Sequence, residues 1–263
     1  VSNGKTALVT GGSRGIGRGI AFELAKAGYD LTIGHWEDDV NAAATAERIR
    51  AEWGRRCLIA PGDLADPATP AAIVGAALKE MGRIDVLVNN AGICKFRSVT
   101  ELSLEETDRL IQVNFRAPLL MMKEVSRHMR EAGIRGSILN VTSSRAERAY
   151  PGDAVYGGLK AALKRASESA ALDLAQYGIR VNCIAPGATL LREDVSPSEG
   201  LGRRIPLGRM GKPEDMGHIA VWLSSDQASY ITGITVRADG GLILPGMPEN
   251  EPASAGWAPS GGN

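Results

Sequence analysis

The sequence predicts one α/β domain, a doubly wound, seven-stranded parallel sheet with helices on both faces. Three observations carry this. Short apolar segments alternate with segments of helical periodicity along the whole chain. Those short segments are mostly apolar or β-branched, as strands of a parallel sheet covered on both faces are. The first of them runs straight into a glycine-rich turn that opens a helix, and such turns lie at the carboxyl ends of parallel strands, where ligands bind.

In order, residues 5–10 are the first strand, and residues 14–27 place Ile16, Ile20 and Leu24 at helical spacing before Gly28 ends the helix. Residues 30–34 are the second strand, 41–53 a helix closed by Gly54, and 57–60 the third strand. Asp66-Pro67 is expected to open the next helix as cap and first-turn proline, with Gly82 closing it. Residues 84–88 are the fourth strand. Ser103 and Glu106 then form a capping box for one long helix reaching about residue 131. Residues 137–141 are the fifth strand, followed by a helix to about 177, a sixth strand at 179–185, a helix from Pro213 to Ser224 and a seventh strand at 234–237. Residues 186–204 are small and polar and predict a flap. The domain is expected to span 1–245, with 246–263 a Pro/Gly/Ser-rich tail.

Composition narrows the function. Thirty basic residues balance thirty acidic ones, so no overall field recruits nucleic acid or an anionic membrane. No apolar run approaches the ~18 residues of a membrane span. Three cysteines without framework spacing, Cys57, Cys94 and Cys183, point to a reducing compartment, and a cytoplasmic location is the expectation. Three histidines, none at ligand spacing, predict no metal site.

Two motifs carry chemistry. Thr10-Gly11-Gly12-Ser13-Arg14-Gly15-Ile16-Gly17 sits between a strand and a helix, where glycines let the backbone approach a pyrophosphate and the N–H groups of the helix start face its charge. Tyr156 and Lys160 lie four residues apart on a helix, so their Cβ atoms are roughly 5–6 Å apart on one face. A phenol titrates near ~10 and is a poor proton carrier at neutral pH. An ammonium about 4 Å away favours the phenolate by roughly 1–4 kcal/mol, which predicts a tyrosine able to trade a proton with an alcohol or carbonyl oxygen. Either motif alone has a bland reading, a plain turn or a surface pair. Together and in order they do not.

The pattern TGxxxGxG at Thr10–Gly17, with Asn89-Asn90-Ala91-Gly92, Asn114, Ser143, Tyr156-x-x-x-Lys160, Pro186-Gly187 and Asp239-Gly240-Gly241, resembles the short-chain dehydrogenase/reductase family over about residues 4–244. The resemblance implies a Rossmann-type fold and an NAD(P)-dependent oxidoreductase moving a hydride between nicotinamide and a secondary alcohol or carbonyl. Tyr156 would be the general acid/base, with Lys160 depressing its pKa and holding the nicotinamide ribose. Ser143 would orient the substrate oxygen, and Asn114 would complete a proton relay. The cofactor would lie along Gly11, Ser13, Arg14, Gly15, Ile16, Gly17, His35, Trp36, Asp63, Leu64, Asn90, Ala91, Gly92, Pro186, Gly187 and Thr189, with Asp63 meeting the adenine amine.

Where NAD-specific relatives carry a carboxylate after the second strand this chain has His35, and Arg14 resembles the cation aimed at a 2′-phosphate. NADP is therefore set ahead of NAD, although Glu37, Asp38 and Asp39 would repel a phosphate if they face it. Leu159 stands where many relatives have Ser, and Thr189 lies nearer Gly187 than the usual threonine.

The C-terminal stretch is similar to bacterial glucose 1-dehydrogenases, and Glu147 matches an acidic position there. With Arg145, Arg148 and Tyr150 it would form a polar pocket for a sugar or polyol. A 3-oxoacyl-thioester reductase is the alternative, and a non-catalytic cofactor-sensing protein is the alternative from another class. The family resemblance also implies a homotetramer, packed through the helices carrying Asn114 and Tyr156.

Overall fold

The computed structural model describes residues 4–191 and 199–244. Its seven strands are β1 (Thr6–Val9), β2 (Asp30–His35), β3 (Cys57–Pro61), β4 (Val86–Asn89), β5 (Ser137–Val141), β6 (Arg180–Pro186) and β7 (Thr235–Ala238). All pair in parallel, in the order β3-β2-β1-β4-β5-β6-β7. After β3 the chain crosses back past β1 to begin β4. The winding therefore reverses between β1 and β4, and a crevice opens above their carboxyl ends.

Successive strand residues feed two cores. Ala7 and Val9 of β1, with Leu139 and Val141 of β5, pack beneath α1 (Gly15–Lys26), α2 (Asp39–Trp53) and α8 (Pro213–Ser224). Leu8 and Ile138 face the other way, against α3 (Thr69–Met81), α5 (Ala117–Glu131) and α6 (Ala154–Ala175). Leu8, Leu31, Leu87 and Ile138 are fully buried. Each such side chain contributes about 1.5–3 kcal/mol, which is why both faces of the central strands carry apolar residues.

Most elements fall within a residue or two of their expected ends, and α8 and β5 match at both ends. Two expectations are corrected. The helix assigned to Asp66-Pro67 begins at Thr69, with Pro70 in its first turn. Asp66 instead closes a tight turn, accepting from the Ala68 N–H at 2.9 Å. The long helix ending near residue 131 is also not continuous. It divides into α4 (Leu104–Ile111), a π turn over Gln112–Arg116, and α5. Pro118 has no N–H to give the carbonyl of Asn114, so the regular ladder cannot pass through this point.

Within the expected flap the structure places a short helix, α7 (Glu199–Arg203); residues 192–198, like the expected tail at 246–263, lie outside the described residues. On the two helices expected to pack subunits, Met121, Met122 and Ala171 are core, whereas Leu172 is 81% exposed.

Candidate active site

The glycine turn is built by its neighbours. The Thr10 hydroxyl accepts from the N–H groups of Asn90 and Ala91, each at 3.0 Å. Asn90 returns the contact, its amide donating to the carbonyls of Thr10 at 3.0 Å and Gly11 at 3.1 Å. These bonds tie the end of β4 to the end of β1. A Cβ on Gly17 would stand 2.1 Å from the Gly11 carbonyl oxygen, so only glycine lets α1 start this close to its own turn. Gly15 takes φ +53°, a left-handed conformation that a side chain would strain.

At the other end of the crevice, Ser143 lies two residues past β5, and Tyr156 and Lys160 project from α6. Asp153 starts that helix, accepting from the Gly157 N–H at 3.1 Å while pairing with Arg145 at 3.1 Å. The Ser143 hydroxyl accepts from the Arg145 N–H at 3.2 Å and lies near enough to the Tyr156 hydroxyl to favour its ionised form. Lys160 is buried and donates to the Val141 carbonyl at 2.9 Å. Asn114, inside the π turn, is completely buried and clamps the backbone of Ile93: its amide donates to the Ile93 carbonyl at 2.9 Å and its oxygen accepts from the Ile93 N–H at 3.3 Å. The distortion of the helix thus sits at the residue that holds the loop after β4.

The electrostatics differ from the sequence expectation. Burial pushes the Tyr156 hydroxyl up to about 12, and the Ser143 hydroxyl and the Arg145 charge offset only part of this. Burial also lowers Lys160 to about 8. The Lys160 Nζ stands 5.7 Å from the centre of the Tyr156 ring, with its hydrogen bond directed to backbone. In the protein alone, desolvation outweighs the lysine, and the phenol is held protonated.

Between these ends runs a cleft of about 610 Å³, the scale of small-molecule and cofactor sites. It is lined by Gly11, Ser13, Arg14, Gly15 and Ile16 of the turn, by His35, Trp36, Asp63 and Leu64 beyond β2 and β3, and by Asn90, Ala91 and Gly92. Ser143, Arg145, Tyr156, Lys160, Pro186, Gly187 and Thr189 complete it. Gly17 supports the turn from behind. One continuous crevice with a phosphate-sized backbone turn at one end and a buried ammonium at the other fits a nicotinamide dinucleotide.

Three expected substrate contacts, Glu147, Arg148 and Tyr150, are not in that lining. Glu147 turns away from it, its carboxylate held by Arg237 at 2.7 Å and Lys164 at 3.4 Å. Tyr150 lies behind the wall, where its ring stacks on Arg145 at 4.4 Å while Phe96 covers that guanidinium at 4.6 Å. Paired with Asp153 and faced by two rings, Arg145 is wall rather than an open cation.

Cys94, Asp38 and Arg109 are among the lining residues that sequence reasoning did not place in the site. Cys94 is exposed near Tyr156. Asp38 faces the cleft, accepting from the Ser13 hydroxyl at 2.6 Å and lying 3.8 Å from Arg14. Glu37 makes this possible with φ 50°, which turns the chain after β2. Arg109 of α4 reaches Asp63 at 2.7 Å. No signal in the sequence marks a helix residue as reaching across to β3.

A second hollow, about 740 Å³, lies at the amino ends of the strands among Arg83, Asp85, His128, Arg135 and Arg180. All helices following a parallel strand end there, so its basic groups answer helix carboxyl termini. Arg180, for example, donates to the Ser225 and Ile231 carbonyls. We assign it no chemistry. Among the described residues there is no cluster of three metal-ligating side chains, and no helix is long and apolar enough to cross a membrane.

The family model described as enoyl-(acyl carrier protein) reductase matches residues 11–243. This chain is a short-chain dehydrogenase/reductase. Among members of that family, L-rhamnose 1-dehydrogenase (NAD(P)(+)) of Sphingomonas sp. (strain SKA58) is 37% identical over 92% of this chain and 97% of its own. Glucose 1-dehydrogenase 2 of Bacillus subtilis (strain 168) is 35% identical over 92% of this chain and 95% of its own. Of solved family structures, acetoin dehydrogenase YohF from Salmonella typhimurium superposes with a TM-score of 0.88 at 31% identity, covering 94% of this chain and 98% of that one. The fold expected from the sequence is the family fold.

Proposed function

We propose that this protein is an NAD(P)-dependent dehydrogenase that oxidises a secondary alcohol of a sugar or polyol, and reduces the corresponding carbonyl. The observation that carries the reading is that Ser143, Tyr156 and buried Lys160 line the same cleft as the glycine turn. Bound nicotinamide supplies a hydride donor or acceptor at its C4 atom. The residues Gly11–Ile16 would hold the pyrophosphate, Lys160 the nicotinamide ribose, and Asn114 the loop beneath it. Ser143 would bind the substrate oxygen while Tyr156 gives it a proton during reduction or takes one during oxidation. A phenol held protonated is ready for the reductive direction; the oxidative direction becomes easier as pH rises.

The sugar assignment rests on rhamnose and glucose dehydrogenases being similar over nearly the whole chain. The 3-oxoacyl alternative keeps the same proton chemistry, and the description of the matching family model favours keeping it. Arg14 has a carboxylate, Asp38, beside it, so the cation expected to select NADP is partly neutralised, and we propose that both cofactors are used. A reducing, cytoplasmic setting and a homotetramer are proposed with it. The three cysteines are free, and Trp222, Tyr230 and Ile234 leave apolar surface exposed near β7.

The test is a panel of L-rhamnose, D-glucose, acetoin and a 3-oxoacyl thioester, each with NAD(H) and NADP(H). Turnover of an aldose with either cofactor is expected. Turnover of the thioester alone would replace the substrate assignment, and cofactor binding without turnover of any of them would favour the sensor.

A further inference from the structure

The adenosine end of the cleft contains its own occupant. Trp36 offers a ring face that is half exposed, and Asp63 offers a carboxylate. One side chain engages both. Arg109 of α4 stacks its guanidinium 4.7 Å from the Trp36 ring centre and donates from Nη1 to Asp63 Oδ2 at 2.7 Å. Burial draws the Asp63 carboxyl upward, but the hydrogen bonds from Arg109 and the Ala65 N–H, with the Arg109 charge, hold it below the usual range. It is a ready acceptor, and its acceptance is taken up.

A flat group stacked on an aromatic face, giving an N–H to that carboxylate, is what an adenine with its exocyclic amine would be here. We propose that Arg109 stands in for adenine, so that the base docks only as the guanidinium leaves Trp36 and Asp63. This rests on the reading that the cleft takes NAD(P). The chemistry sets the size of the effect. An ion pair a third exposed and a cation–π contact at a half-exposed ring are each modest, so the competition should cost an adenine ligand about three- to tenfold in affinity. A ligand without adenine should not feel it.

The test uses the full chain and its Arg109→Ala and Arg109→Lys variants, titrated with AMP, 2′,5′-ADP, nicotinamide mononucleotide, NADH and NADPH. In Arg109→Ala, AMP and NADH are expected to bind about three- to tenfold more tightly, with nicotinamide mononucleotide unchanged. Arg109→Lys keeps the charge but not the planar stack, and should fall between. Equal or weaker AMP binding in Arg109→Ala overturns the proposal, since Arg109 would then be a bystander or a support for the base. Loss confined to NADPH and 2′,5′-ADP overturns it in favour of a 2′-phosphate contact. If the wild-type protein binds NADH and NADPH in no form, the cofactor reading itself fails and this proposal falls with it.

Discussion

The two ends of the cleft are built on opposite terms. At the proton-transfer end, Asn114 and Lys160 are almost completely buried, Ser143 nearly so, and their hydrogen bonds run to main-chain atoms of their own neighbourhood. At the adenosine end, Trp36 is 49% exposed and Asp38, Asp63, Arg14 and Arg109 are held by one another across separate segments. The first end is fixed before any ligand arrives. The second is satisfied by contacts that a ligand must exchange. Pre-set geometry suits chemistry, where misplacement by an ångström is costly; exchangeable ion pairs suit recognition, where a modest difference in affinity selects the partner.

The sharpest way to break this contrast is at Lys160. Lys160→Met is expected to lower turnover by about 10²–10³ and yet to stabilise the fold. The ordinary value of 10.5 falls to about 8 in the folded protein. That difference corresponds to roughly 3 kcal/mol of burial penalty, less about 1 for the lost hydrogen bond to Val141. The sign follows from proton binding. Below pH 8 both states carry the charge and the penalty is complete; as pH rises toward 10.5 only the unfolded chain keeps its proton, and the penalty is relieved. Denaturant melts at pH 7 and pH 10 should show the variant's gain of about 2 kcal/mol shrinking. A variant that is less stable at pH 7 would mean the ammonium is better solvated than its burial suggests.

Next in size is the turn. Gly17→Ala forces a Cβ against the Gly11 carbonyl, and the backbone shift should weaken NADH binding by about tenfold to a hundredfold, as isothermal titration would register. Asp38→Asn removes the carboxylate beside Arg14 and should move the NADP/NAD ratio of kcat/KM about tenfold toward NADP. Unchanged selectivity would show that Asp38 does not face the 2′ position. The smallest effect belongs to Glu147→Gln. Its salt bridges to Arg237 and Lys164 are partly exposed, so kcat/KM should stay within about twofold and stability within about 0.5–1 kcal/mol.

The same contrast explains what could be read from the sequence. Tyr156 and Lys160 stand four apart on one helix and the glycine turn joins a strand to a helix, so local spacing gives their geometry, whereas Ser143 was named by the family resemblance. All seven strands were legible as short, mostly apolar or β-branched runs alternating with helices. The break at Gln112–Arg116 was not, because the signal is a single Pro118 inside an otherwise good helix; there the Asn114 amide donates to the Leu110 carbonyl one turn back. Asp63 was assigned to adenine, but Arg109, forty-six residues later, was invisible as its partner: nothing in local spacing relates α4 to β3. Glu147 failed for the same reason, since Arg237 on β7 claims its carboxylate from ninety residues away. The pKa of Tyr156 was misjudged because sequence gives the neighbour's charge but not the depth of burial.

The central claim is that the Tyr156 hydroxyl carries the proton while the rest of the cleft holds the cofactor. Single-turnover mixing of Tyr156→Phe, loaded with NADPH or NADH, against the carbonyl form of the best substrate tests it most directly. Cofactor affinity should stay within about twofold of wild type while hydride transfer, followed as loss of nicotinamide absorbance, slows by about 10³ or more. Hydride transfer within about tenfold of wild type would contradict the account and move the proton to another group.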